Sequence, residues 1–182
     1  MIAIMSELLT DLLSGLSKRE RRLGAGETLF RADDPVQSLF LVISGEVRLV
    51  RTLPQGSELT LQRAGAGALL AEASLFAPRY HCDAKATEES VLRVMPVQRF
   101  KTALREQASF ADALLRHLAK EVHRARAQAE ILSFRTVADR VDAWITLHDD
   151  SLPPKGRWRQ IASDIGITPE ALYRDLARRR GN

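Results

Sequence analysis

The periodicity of the apolar residues changes once, near Val97, and this confines the chain to a strand-rich part followed by a helical part. Ahead of the change, Ser38-Leu39-Phe40-Leu41-Val42-Ile43 reads as a buried strand closed by Ser44-Gly45. Glu46-Val47-Arg48-Leu49-Val50-Arg51 and Glu58-Leu59-Thr60-Leu61-Gln62-Arg63 alternate with period two around a turn at Leu53-Pro54-Gln55-Gly56-Ser57. Val91-Leu92-Arg93-Val94-Met95 is the last such run. Short strands at this spacing, with no long helix between them, predict an antiparallel β-roll (jelly roll) over roughly residues 24–95.

Behind the change, Leu104, Ala108, Ala111, Leu115, Leu118, Val122, Ala125, Ala129 and Leu132 follow in alternating steps of four and three. This is a heptad seam, flanked by Arg116, Lys120, Glu121, Arg124, Arg126 and Glu130. A helix lying on its own domain shows a broader stripe, and only Leu114 widens this one. The seam therefore predicts a parallel homodimer through Leu104, Ala111, Leu115, Leu118, Val122, Ala125, Ala129 and Leu132. Its alanines bury less area than leucines, so the rolls are expected to add to dimer stability.

A third part follows the seam. A helical pattern over Phe134 to His148 is broken by Asp149-Asp150-Ser151-Leu152-Pro153-Pro154-Lys155-Gly156, and two shorter patterns then flank Gly166. Thr168, Pro169 and Glu170 form a strong start signal: a hydroxyl cap, proline in the first turn and an acid facing the helix dipole. Two short helices around a glycine turn predict a helix-turn-helix. Charge points the same way. Lys155, Arg157, Arg159, Arg174, Arg178, Arg179 and Arg180 outweigh Asp164, Glu170 and Asp175, so this end carries the whole net charge of +4. A neutral body with a basic end suits a polyanion.

This combination resembles the Crp/Fnr superfamily of bacterial transcription regulators along nearly the whole chain. The roll part of the resemblance lies in Gly26-Glu27-Thr28-Leu29-Phe30, in Leu39 to Val47, and in Gly67 to Phe76 with Glu72 inside it. The terminal part lies in Ile161-Ala162-Ser163-Asp164-Ile165-Gly166-Ile167-Thr168-Pro169-Glu170-Ala171-Leu172-Tyr173-Arg174. The resemblance implies an α+β fold with a β-roll sensor domain at 1–103, a dimerisation helix at 104–133 and a helix-turn-helix DNA-binding domain at 134–182. It also implies that Glu170 and Arg174 read base edges. A carboxylate accepts from cytosine N4, and an arginine fork donates to guanine O6 and N7. Thr168, Arg178 and Arg179 complete the expected DNA-contacting set. Family members continue into a β-wing after the recognition helix; without the wing's phosphate contacts the expectation is either a low DNA affinity or substitution by Arg178-Arg179-Arg180.

The effector site departs from the family pattern. Members that bind cyclic nucleotides follow a Gly-Glu pair with an Arg-Ser that holds the phosphate. Here Ala71 precedes Glu72, and Tyr80-His81 stand where Arg-Ser belongs, with Arg79 one residue away. A phenol and an imidazole do not neutralise phosphate as a guanidinium does. On the long helix, Ala125 and Arg126 occupy positions where contacts to the base are usual. These departures argue against cAMP and cGMP, and leave Glu72, Arg79, Tyr80, His81 and Arg126 as the expected lining of a pocket for another effector. Haem on His81 or Cys82 is the alternative. The preferred reading is a hydrogen-bonded His81 and a small core Cys82, because adjacent side chains on a strand face opposite ways.

A single cysteine excludes an iron–sulfur sensor within one chain, and His117, His123 and His148 have no metal-ligand spacing, so no metal and no cofactor are expected. Gly65-Ala66-Gly67-Ala68 lacks the third glycine of a dinucleotide fingerprint, and no catalytic motif occurs, so no enzyme is expected. No run approaches the ~18 apolar residues of a membrane span. Met1-Ile2-Ala3-Ile4-Met5 is no secretory signal, and a cytoplasmic protein without a membrane partner is expected. The functional expectation is a homodimeric regulator binding double-stranded DNA at an inverted repeat, modulated by a small molecule. The alternative is a dimeric ligand-binding roll that has lost DNA binding.

Overall fold

The computed structural model describes residues 7–148, 156 and 158–180. The break at Pro153-Pro154, Arg157 and both chain ends lie outside the described residues. The described residues fall into two compact units, one up to His117 and one from Leu118 onward.

The first unit opens with helix α1 (Glu7–Leu16), which buries Leu9 and Leu13 one turn apart. Eight strands follow: β1 (Glu20–Leu23), β2 (Thr28–Phe30), β3 (Ser38–Ser44), β4 (Val47–Thr52), β5 (Glu58–Ala64), β6 (Leu69–Leu70), β7 (Asp83–Ala86) and β8 (Ser90–Pro96). They form two four-stranded sheets in the orders β1-β8-β3-β6 and β2-β7-β4-β5, every pair antiparallel. Leu23, Phe40, Val42 and Leu92 of one sheet share a buried cluster with Leu29, Val47, Leu49 and Ala84 of the other. This is the expected β-roll. The β3–β4 turn needs glycine: Gly45 sits at φ +82°, and a Cβ there would collide with the backbone of Glu89 and Ser90.

Two features differ from the sequence reading. The roll begins earlier, because β1 starts at Glu20 and pairs with β8. The helical region is also not continuous. Helix α2 (Val97–Glu106) ends at Gln107, whose extended backbone (φ −121°, ψ 96°) separates it from α3 (Ala108–Ser133). Phe100 and Phe110, both fully buried, pack edge to face at 5.1 Å across this break. Leu104 therefore lies on α2, while the remaining seam positions lie on α3.

In the second unit, α4 (Val137–Thr146), α5 (Trp158–Asp164) and α6 (Pro169–Arg180) pack around Val141, Trp144, Trp158, Ile161, Ile165, Leu172 and Leu176, with Ile131 of α3 joining them. Helix α4 starts on a hydroxyl cap, the Thr136 side chain accepting from the Asp139 amide.

Candidate functional site

Three places hold the residues expected to act. The first is the α5–α6 pair. Helix α5 ends in a Schellman turn: Ile167 N–H donates to the Ala162 carbonyl (2.9 Å) and Gly166 N–H to that of Ser163 (3.3 Å). Gly166 takes the left-handed conformation this turn requires, φ +65°. Thr168 then caps α6, its Oγ1 accepting from the Ala171 amide at 3.2 Å. Burial of Leu172, Asp175 and Leu176 turns the opposite side of α6 to solvent, and Glu170, Tyr173, Arg174 and Arg178 are exposed there. An i,i+4 ion pair between Glu170 and Arg174 is the ordinary expectation for such a spacing. Among the described residues that pair does not form, and Arg178 likewise has no acidic partner.

Arg179 is different. Its Nη1 pairs with Asp142, its Nε with Asp175 at 2.5 Å, and its Nη2 donates to the Ala138 carbonyl at 3.1 Å. Asp142 first, then Asp175, push its guanidinium further toward the charged form. Arg179 thus ties α6 to α4 and is committed on three sides. The side chain of Arg180 lies outside the described residues.

The second place is the seam. On α3, Phe110, Ala113, Leu114 and His117 are buried, whereas Leu115 (65% exposed), Val122 (47%) and Leu132 (41%) are not. Ala125 and Ala129 are exposed with them, and Leu104, Ala111 and Leu118 are half-buried. The buried face and the seam are therefore separate stripes.

The third place is a cavity of about 90 Å³ in the roll, lined by Phe30, Gln62, Glu72, Ser74, His81 and Cys82 among others. It brings together Glu72 and His81 of the expected set. His81 Nδ1 shares a hydrogen bond with Ser74 Oγ at 3.0 Å. Burial pushes the Cys82 thiol up, which keeps it neutral. His81 is exposed whereas Cys82 is buried in the core of the roll, and both border the cavity just ahead of β7, which begins at Asp83. Two other expected residues point elsewhere. Tyr80 stacks on Phe30 at 3.9 Å, donates to the Ser38 carbonyl at 2.7 Å and accepts from its amide at 3.3 Å. Arg79 is exposed and donates to the Asp33 carbonyl at 2.6 Å. Arg126 is exposed on α3 in the second unit. No arginine or lysine lines the cavity among the described residues, and no group of metal-binding side chains occurs among them. Gln62, Ser74 and Cys82 were not expected as lining. Ser74, two residues after Glu72 in the motif, and Cys82, beside His81, carried a signal in sequence, whereas Gln62 did not.

Residues 20–107 match the cyclic nucleotide-binding domain family. Across the chain, the cyclic AMP receptor protein of Thermus thermophilus is 32% identical over 166 residues, covering 88% of this chain and 77% of that relative. The chain belongs to the Crp/Fnr family of transcription regulators. The crystal structure of the Thermus thermophilus catabolite activator protein superposes with a TM-score of 0.58 at 30% identity, covering 94% of this chain and 82% of that one. FixK2 from Bradyrhizobium japonicum shares the fold, with a TM-score of 0.67 at 22% identity over 88% of this chain and 83% of its own. The relatives of this Crp/Fnr chain are regulators of transcription, and no enzymatic family is indicated. No helix among the described residues is long and apolar enough to cross a membrane.

Proposed function

We propose that this Crp/Fnr protein is a cytoplasmic homodimer that binds an inverted repeat in double-stranded DNA and is modulated by a small-molecule effector other than a cyclic nucleotide. The observation that carries the DNA reading is the solvent face of α6. Glu170 and Arg174 stand one turn apart, exposed and unpaired with each other, behind a helix-turn-helix turn of defined geometry. An unpaired carboxylate and guanidinium at that spacing can meet two neighbouring base edges in a major groove. Arg178, one turn further, adds a phosphate contact. Arg179 supports the interface by holding α6 against α4.

The exposed seam supports the dimer, and a two-fold dimer presents two recognition helices to two half-sites. The cavity supports the effector reading. At about 90 Å³ it falls well below the ~300–1,000 Å³ of ordinary ligand pockets, and no arginine or lysine stands among its lining residues to hold a phosphate. An effector there is small, or the cavity opens to admit it. The test is a mobility-shift titration on a duplex selected from a random pool, with and without a small-molecule extract of cells. A shift that depends on the extract is expected. Failure to shift any selected duplex under either condition would refute the DNA reading.

A further inference from the structure

Arg140, on α4, was not singled out by the sequence, yet its guanidinium donates to four main-chain carbonyls from two separate helix ends. Nε reaches the Phe134 carbonyl at 2.8 Å and Nη2 that of Leu132 at 3.2 Å, both at the C-terminal end of α3. Nη1 reaches the carbonyls of Ile165 and Gly166, each at 3.2 Å, in the turn between α5 and α6. These are orphan carbonyls of helix C-termini, where partial negative charge collects and a cation is favoured. Four of the five N–H groups of one rigid, planar fork are engaged at once. A lysine ammonium has neither that number nor that spread of donors.

Two further observations locate the junction. Gln128 Nε2, one turn back on α3, donates to the Asp164 carbonyl at the end of α5 (3.2 Å). A Cβ on Gly166 would lie 2.8 Å from Leu132 Cδ2 and 3.4 Å from Arg140 Nη1, so the three residues meet at close packing. The end of the seam helix and the turn that launches α6 are thus joined through Arg140, with Gln128 beside it.

We infer that Arg140 is a positioning residue: it fixes the angle between α3 and the α5–α6 pair, and so sets the half-site separation that the dimer accepts. This rests on the reading of the chain as a DNA-binding dimer. In such a dimer the two seam helices share one axis, and each recognition helix takes its position from its own α3. One added base pair shifts a half-site by about 3.4 Å and rotates it by about 35°. A rigid junction cannot follow that displacement, whereas a loosened one can.

The experiment compares the unmutated protein with Arg140→Gln and Arg140→Lys on duplexes whose half-sites are identical and whose separation varies by one base pair at a time. For the unmutated protein, affinity falls about tenfold or more for one base pair away from the optimum, on the scale of a mismatched contact. For Arg140→Gln the loss is under about threefold, with base preference inside each half-site retained, and Arg140→Lys lies between them. A merely structural role lowers binding equally at every separation. A spacing profile in both variants as steep as that of the unmutated protein would overturn the inference. Should Arg140→Gln not fold, as judged by circular dichroism, Arg140→Lys and Gln128→Ala decide by the same profile. If the unmutated protein prefers no inverted repeat at all, the underlying DNA reading fails instead.

Discussion

Replacing Leu115 by alanine tests whether the seam on α3 is a dimer contact, and its cost follows from the structure. Leu115 is 65% exposed in the single chain, although it occupies an apolar position of an otherwise charged helix. Truncation to alanine removes three carbons, worth about 0.8 kcal/mol each when fully buried. The exposed share left for a partner helix to cover is then about 1.6 kcal/mol per protomer. A two-fold seam contains the residue twice, so Leu115→Ala should weaken the dimer by about 3 kcal/mol, close to 200-fold in Kd. Sedimentation equilibrium over a dilution series reads this directly. Leu8 on α1 is 58% exposed but off the seam, and Leu8→Ala should leave the dimer Kd unchanged. A single-chain mass for the unmutated protein, or equal effects of the two substitutions, would refute the reasoning.

Three other outcomes are expected. Tyr80→Phe removes both hydrogen bonds to Ser38, and should cost about 1–3 kcal/mol in a urea titration. Burial raises the native Tyr80 phenol above its ordinary value of 10, so the stability tied to the neutral phenol is complete below pH 10 and is lost as pH rises through the native value. The Phe variant should lack that alkaline slope, and an equal slope would contradict the assignment. Arg178→Ala should reduce the salt dependence of DNA binding by about one unit, whereas Arg179→Ala should lower thermal stability by unlinking α6 from Asp142; the reverse pattern would exchange their roles. Isothermal calorimetry with cAMP and cGMP should show no micromolar binding, because no cation lines the cavity among the described residues, and saturable heat would contradict this.

The sequence made the long alternating strands readable and hid the short ones. β3, β4, β5 and β8 run six or seven residues; β4 and β5 carry the period-two signal, and β3 and β8 show as short apolar runs. β7, Asp83-Ala84-Lys85-Ala86, has little strand propensity of its own and is held by pairing with β2 and β4 on either side. The helical break at Gln107 is invisible to periodicity, since the seam passes through it in register; the Phe100–Phe110 contact that accompanies it is a tertiary event. Helix α6 and its cap were readable because Thr168, Pro169 and Gly166 act on their immediate neighbours. The roles of the arginines were not. Arg178 and Arg179 are adjacent and look alike, but only Arg179 meets Asp142, 37 positions away. The partners of Arg140 were not readable either, because carbonyl acceptors leave no trace in residue types. The cavity was half readable: the motif around Glu72 supplied Ala71, Glu72, Ala73 and Ser74 of its lining, whereas Gln62 reaches it from β5, a contact set by tertiary pairing.

On the proposed function, α6 reads sequence rather than merely attracting DNA. Selection from a random duplex pool, sequenced for the unmutated protein and for Arg174→Ala with a small-molecule extract present, tests it most directly. The unmutated protein should enrich an inverted repeat with half-sites about one helical turn apart. Arg174→Ala should lose preference at one guanine in each half-site, a loss of about 1–3 kcal/mol, and keep the rest of the motif. A basic surface that only attracts phosphate would enrich no motif and would respond to salt alone. Enrichment of the same repeat with the same guanine by both proteins, or of none by either, would contradict the account.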